Sequence, residues 1–121
     1  MNIFSNEVKR LNNATRYSIQ GFVHAWKGEA SFRLEVLIAA ILLPIALWVD
    51  VSTLERIALV GSVLLILIVE LLNSAVEAAI DRVSMDHHPL SGRGKDLGSA
   101  AVLVCLGFAL FTWASIFSPW Q

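Results

Sequence analysis

The sequence predicts an all-α membrane protein, with three transmembrane helices and an N-terminal amphipathic helix lying on the membrane surface. Three observations carry that reading. Of the 121 residues, 56% are hydrophobic and only 16% charged, so a soluble domain of this length would expose too much apolar surface. Three apolar runs are each long enough to cross a bilayer as a helix. The basic residues are confined almost wholly to two segments, as the orientation rule for membrane proteins requires. The length fits a single domain over residues 1–121. The formal net charge of -1 says little by itself.

The N-terminal helix is expected over residues 5–27. Val8, Leu11, Ile19, Phe22, Val23 and Trp26 recur at helical spacing, with Ala14 and Thr15 filling the gap. Lys9, Arg10, Asn13, Arg16, Tyr17 and Gln20 occupy much of the remaining surface, the pattern of an interfacial helix. No cleavable leader is expected, because MNIFSNEVKRLNN has no apolar core behind its first charges. The first span, residues 32–49, is built on LEVLIAAILLPIALWV; neighbouring helices can absorb the hydrogen bond that Pro44 removes. The second, residues 55–80, contains IALVGSVLLILIVELLNSAVEAAI, and the third, residues 97–117, is LGSAAVLVCLGFALFTWASIF. The short Asp50–Arg56 linker makes the first two spans an antiparallel hairpin. The Asp81–Asp96 linker is longer, polar and carries Gly92 and Gly94. Eight of the nine basic residues lie before the apolar run that begins at Leu34 or in this second linker, which puts both in the cytoplasm. Trp48, Trp113 and Trp120 then fall towards the outer interface. Cys105, the single cysteine, sits in an apolar run as a buried thiol, and no disulfide can form within one chain.

The second span holds the residues that call for chemistry. At helical spacing Glu70, Asn73, Ser74, Glu77 and Asp81 fall within an arc of about 100°. Carboxylates at membrane depth are expensive and mark a functional site by default. Glu77 lies near the cytoplasmic surface and Glu70 about 10 Å deeper. A shallow carboxylate can meet an aqueous cation or phosphate, and a deeper one the polar head of a lipid. SGRGKDLGSA adds Arg93 and Lys95 just before a helix start, a setting that favours phosphate. The same segment also reads as a plain helix cap, with Asp96 or Ser99 as the capping residue. Glu29 and Glu35 flank Arg33 where the surface helix meets the first span. Glu29 shares the depth of Glu77, and two carboxylates with phosphate oxygens can hold Mg²⁺. His87 and His88 are adjacent, which is poor spacing for one tetrahedral metal site, and they read as solvated or as secondary nucleotide contacts. His24 reads as an interfacial residue. No Walker A or protein-kinase signature is present.

VELLNSAVEAAIDR, followed by SGRGKDLGSAAV and preceded by WKGEASFRLE, resembles the small bacterial diacylglycerol kinase family over nearly the whole chain. The loop reads SGRGKD where the family form reads SGRAKD, so Gly94 is expected to loosen the backbone without removing a functional group. The resemblance implies a homotrimer of the inner membrane that transfers the γ-phosphoryl group of MgATP to diacylglycerol, making phosphatidic acid. It implies Glu70 as general base, with Asn73 supporting it, and Glu29 and Glu77 on the divalent cation. For ATP it implies Lys95 and Asp96, with Asp86, His87 and His88 nearby and Arg10 and Tyr17 from the surface helix. For the lipid it implies a groove along that helix from Arg10, Ala14, Thr15, Arg16, Tyr17, Ser18 and Ile19 to Val23, His24, Ala25 and Trp26. Its other borders are Ser31, Phe32, Arg33, Leu34 and Glu35; Trp48, Val49, Asp50 and Val51 with Arg56; Glu70; and Ser99 with Trp113, Ala114, Ser115, Ile116, Phe117 and Ser118.

Small residues at Ser74, Ala75, Ala78 and Ala79, and from Gly98 to Ala101, permit close helix approach. Three spans alone shield two membrane glutamates poorly, so sites between protomers are expected. Other readings stay open: an undecaprenol kinase with the same layout, a small proton-coupled transporter, or a membrane subunit whose polar stripe joins helices.

Overall fold

The computed structural model describes residues 2–119 as four helices: α1 (Ile3–Gly28), α2 (Ala30–Trp48), α3 (Thr53–Val83) and α4 (Pro89–Ile116). Trp120, expected at the outer interface, lies outside the described residues. The helix starts are written in local chemistry. The Asn2 side chain accepts a hydrogen bond from the Ser5 N–H at 2.7 Å, capping α1. Ser52 and Glu55 form a reciprocal capping box at the start of α3, with bonds of 3.1 and 3.0 Å. At α4, Pro89 occupies the first helical position and the His88 Nδ1 accepts from the Leu90 N–H at 3.1 Å.

That last start corrects the expected linker. α3 runs on to Val83 and α4 begins at Pro89, so the connection is residues 84–88 rather than Asp81–Asp96. SGRGKD is helical, and Arg93 and Lys95 stand in the second turn of α4 instead of ahead of its N-terminus. Gly94 does not loosen a loop. A Cβ placed there would come within 2.9 Å of the Ile80 side chain, so Gly94 lets α4 approach α3. Gly98, one turn on, serves the same face: a Cβ there would collide with the Asn73 amide.

Three of the helices, α2, α3 and α4, are long and apolar enough to span a membrane, with mean hydropathy of 2.0, 2.3 and 2.0. At 31 residues α3 exceeds the roughly 20 that a crossing needs, and its last turns carry Asp81 and Arg82. α3 is the centre of the bundle, with α4 along one side and α2 along another. Leu59, Ser62, Val63, Ile66 and Glu70 form its buried stripe. α2 meets it through Phe32, Ala39 and Ala46, a seven-residue repeat whose alanines permit close packing. α4 contributes Cys105, Ala109 and Thr112. Outside this seam large apolar side chains such as Ile68, Val104 and Phe111 are exposed, as lipid-facing or helix-facing surfaces should be.

The hairpin end is tied by polar contacts. The Arg56 guanidinium donates to the carbonyls of Ala46 and Leu47, at 2.8 and 2.7 Å, and so closes the last turn of α2. The Trp113 Nε1–H donates to the Ser62 Oγ at 3.1 Å, while Ser62 donates to the Leu59 carbonyl at 2.9 Å. Glu29 alone separates α1 from α2, and the Phe22 and Phe32 rings meet across that joint with centroids 6.4 Å apart.

Candidate active site

The polar stripe of α3 opens into a cavity of about 320 Å³. α3 supplies Glu70, Asn73 and Glu77; the α1–α2 joint and first turns of α2 supply Glu29, Ser31 and Glu35; α4 supplies Ser99. Leu34, Val102 and Leu106 form its apolar floor. Four carboxylates thus converge from two helices and one joint. Sequence periodicity places Glu70, Asn73 and Glu77 on one face of α3, but only packing brings Glu29 and Glu35 to it.

Glu70 is 5% exposed. Its carboxyl group lies within hydrogen-bond reach of Glu35, and Glu29 and Glu77 are close enough to act on its charge. Glu35, expected only as a border of the lipid groove, is therefore a direct neighbour of Glu70. The signal for it was its place one turn and a half after Glu29, which does not reveal the contact. Among the described residues two buried oxygens have no hydrogen-bond partner, Glu35 Oε2 and Asn73 Oδ1. Unpartnered buried oxygens are costly, and each calls for a water, an ion, a ligand or a catalytic role to account for it. Among the described residues no three acidic, histidine or cysteine side chains form a ready metal cage. Glu29 and Glu77 offer two carboxylates to one cavity, which suits a cation that takes its other ligands from phosphate and water.

One turn beyond Glu77 a second hollow of about 220 Å³ lies between the ends of α3 and α4. Asp81, Asp86, His87, His88 and Lys95 line it. Lys95 Nζ pairs with Asp81 Oδ1 at 2.8 Å, both side chains roughly two-fifths exposed. His88 spends its Nδ1 on the cap of α4. Asp96 is exposed and lines neither hollow.

Two further grooves flank α1. One of about 600 Å³ runs between α1 and α3, with Ser18, His24, Ala25 and Glu29 on its wall. The other, about 440 Å³ and almost wholly apolar, is walled by Val23, Trp26, Phe32 and Leu67. The remaining expected contacts scatter. Arg10 pairs with Glu7 at 3.1 Å on the exposed flank of α1, and the Arg16 guanidinium sits over the Tyr17 ring at 5.3 Å. Thr15 donates to the Leu11 carbonyl, while Ala14 and Ile19 are exposed. Within one chain neither Arg10 nor Tyr17 lines the carboxylate cavity. Trp48 to Val51, Arg56 and the Trp113–Ser118 segment all lie at the hairpin end, roughly the length of α2 away from Ser31 to Glu35, or about 27 Å. One chain therefore does not gather the expected lipid border into a single groove. Arg33 and Arg56 both direct their guanidinium groups to backbone carbonyls.

Comparison with known proteins identifies the family. A family model described as prokaryotic diacylglycerol kinase matches residues 16–117. A diacylglycerol kinase of Pseudomonas aeruginosa is 53% identical over 109 residues, covering 90% of this chain and 89% of that protein. One from Escherichia coli K12 is 47% identical over 104 residues, covering 86% and 85%. One from Haemophilus influenzae is 44% identical over 106 residues, covering 88% and 90%.

Proposed function

The chain belongs to the prokaryotic diacylglycerol kinase family, and from that premise we propose that it transfers the γ-phosphoryl group of MgATP to diacylglycerol at the carboxylate cavity. The observation that carries the residue assignment is the convergence of Glu29, Glu70, Asn73 and Glu77 on one hollow at the edge of an apolar bundle. The lipid hydroxyl reaches Glu70, which takes its proton as the oxygen bonds to the γ-phosphorus. The bond from that phosphorus to the bridging oxygen breaks and ADP leaves. Glu35 and Asn73 hold the Glu70 carboxylate towards the hydroxyl. The apolar floor, and the groove past Trp26 and Phe32, accept acyl chains.

Phosphoryl transfer depends on positioning and on neutralising spread negative charge more than on covalent chemistry. Glu29 and Glu77 would hold Mg²⁺, which when bound would supply positive charge against the phosphates. The two unpartnered oxygens and the two-carboxylate donor set fit that ion. Lys95, released from Asp81, would meet the nucleotide phosphates, with Asp86, His87 and His88 bordering the same hollow and Asp96 on its outer side.

The remaining assignments follow from charge and exposure. The N-terminus and residues 84–88 face the cytoplasm of a bacterium whose inner membrane holds α2, α3 and α4, because basic residues cluster in the N-terminal segment and on the helix ends flanking that connection, at Arg82, Arg93 and Lys95. α1 lies along that surface, its exposed Leu11, Ile19, Phe22 and Trp26 turned to lipid. The functional unit is a homotrimer with sites between protomers. That reading is supported by Arg10 and Tyr17, which lie off the cavity of their own chain and become available to a neighbour's. The kinase family removes the ground for the transporter and subunit readings.

The test is phosphate transfer from labelled ATP in mixed micelles that offer diacylglycerol and undecaprenol together. Labelled phosphatidic acid is expected, and Glu70→Gln is expected to reduce its rate by about 100-fold or more, in the range of general-base loss. Label on undecaprenol alone would change the substrate and keep the site. A Glu70→Gln enzyme of unchanged rate would remove the base assignment.

A further inference from the structure

We propose that Arg33 is a positioning residue that fixes Glu29, and through it the cation end of the site, by locking the joint between α1 and α2. Glu29 is the single non-helical residue between two helices, with φ -124° and ψ 106°. Its N–H donates to the Ala25 carbonyl at 3.0 Å, and its own carbonyl accepts from the Arg33 N–H at 3.2 Å. The Arg33 side chain then reaches back across the joint. One guanidinium nitrogen donates to the Trp26 carbonyl at 2.7 Å and, more weakly, to the Lys27 carbonyl at 3.4 Å.

Those carbonyls belong to the last turn of α1, where no further helical N–H can reach them. A cation there also meets the negative end of the α1 dipole. Arg33 therefore bonds α1 from α2 and straddles Glu29 by backbone on one side and side chain on the other. The neighbouring Phe32 is 3% exposed and packed on Phe22, so the turn that carries Arg33 is itself anchored. Glu29 makes no capping bond with its side chain. Its carboxylate is left for the cavity, and its direction depends on the angle at which α1 leaves α2. The guanidinium is held in one plane on a long stem, whereas a lysine at this position keeps the charge on a shorter, freely rotating head and holds the joint less rigidly. This role differs from the lipid contact expected for Arg33.

The inference rests on the proposed cation role of Glu29, and its test separates the two. Spin labels at Asn12 and Ile41, in a Cys105→Ala chain diluted with unlabelled protein, report the α1–α2 distance. Arg33→Gln is expected to broaden that distance distribution, Arg33→Lys to restore part of the width, and Glu29→Gln to leave it unchanged. An unchanged width in Arg33→Gln would overturn the lock, whatever Glu29 does. In the micelle assay Arg33→Gln is expected to raise the KM for MgATP about tenfold with the KM for diacylglycerol little altered. The double variant with Glu29→Gln should be no worse than Glu29→Gln alone. A rise confined to the KM for diacylglycerol, or losses that multiply in the double variant, would make Arg33 a lipid contact and overturn the proposal. A broadened distance with a normal KM for MgATP in Glu29→Gln would instead overturn the cation role of Glu29, and with it the link from joint to site.

Discussion

The two ends of the α3–α4 seam treat buried polar groups in opposite ways. At the hairpin end each is matched within the chain: Ser62 accepts from Trp113 and donates to Leu59, and Thr112 donates to the Phe108 carbonyl at 2.8 Å. At the other end Glu70 is buried beside Glu35, and Asn73 Oδ1 and Glu35 Oε2 have no partner. Within one pair of helices the matched end does the work of assembly. The unmatched end carries a cost that water, an ion or a bound molecule would offset. Membrane burial alone is thus a poor guide to function, and the state of the hydrogen-bond account is a better one.

That contrast can be broken from either side. The largest effect is expected from Gly98→Ala, because its Cβ must displace Asn73. A shift of about 1 Å in a site group can cost on the order of 100-fold in turnover, so kcat should collapse while the protein still unfolds near the parent temperature. Normal kcat in a folded Gly98→Ala protein would detach Asn73 from the chemistry. Ser62→Ala should do the reverse. Loss of the Trp113 partner is expected to cost about 1 kcal/mol in denaturation measured in micelles, with kcat unaltered. A kcat defect without a stability change would mean that the hairpin end is part of the working site. The smallest effect is expected from Gly94→Ala. There the obstacle is the mobile tip of Ile80, and the substitution recovers up to about 1 kcal/mol of helix propensity. A slightly raised unfolding midpoint and parent-like turnover would set Gly94 apart from Gly98, one turn away on the same face.

Much of the fold was legible because hydropathy over a whole span is a strong signal. The three spans, the hairpin and the Glu70–Asn73–Glu77 stripe all come from local periodicity. The start of α4 was hidden because SGRGKD has the composition of a loop. Gly94 within it faces Ile80, and Gly98 just beyond it faces Asn73, contacts that no local pattern announces. Glu35 was read as a groove border because its contact with Glu70 depends on how Ala39 and Ala46 let α2 settle against α3. The bonds by which Arg33 and Arg56 close the preceding helix are not legible in the sequence, because they reach seven and ten residues back, outside any helical repeat. Arg10 and Tyr17 do not line the carboxylate cavity of one chain, and the route to a site proposed for them runs through assembly.

The length of α3 has a consequence for the membrane itself. A helix of 31 residues is about 46 Å long, against a hydrocarbon layer of roughly 30 Å. The excess is accommodated by tilt or by turns standing clear of the lipid, and bilayer thickness decides between them. Glu70 has no fixed height above or below the waterline. Longer acyl chains in the host membrane would sink it and shorter ones would lift it, so the composition of the surrounding lipid would bear on how readily a lipid hydroxyl meets the carboxylate proposed as its base.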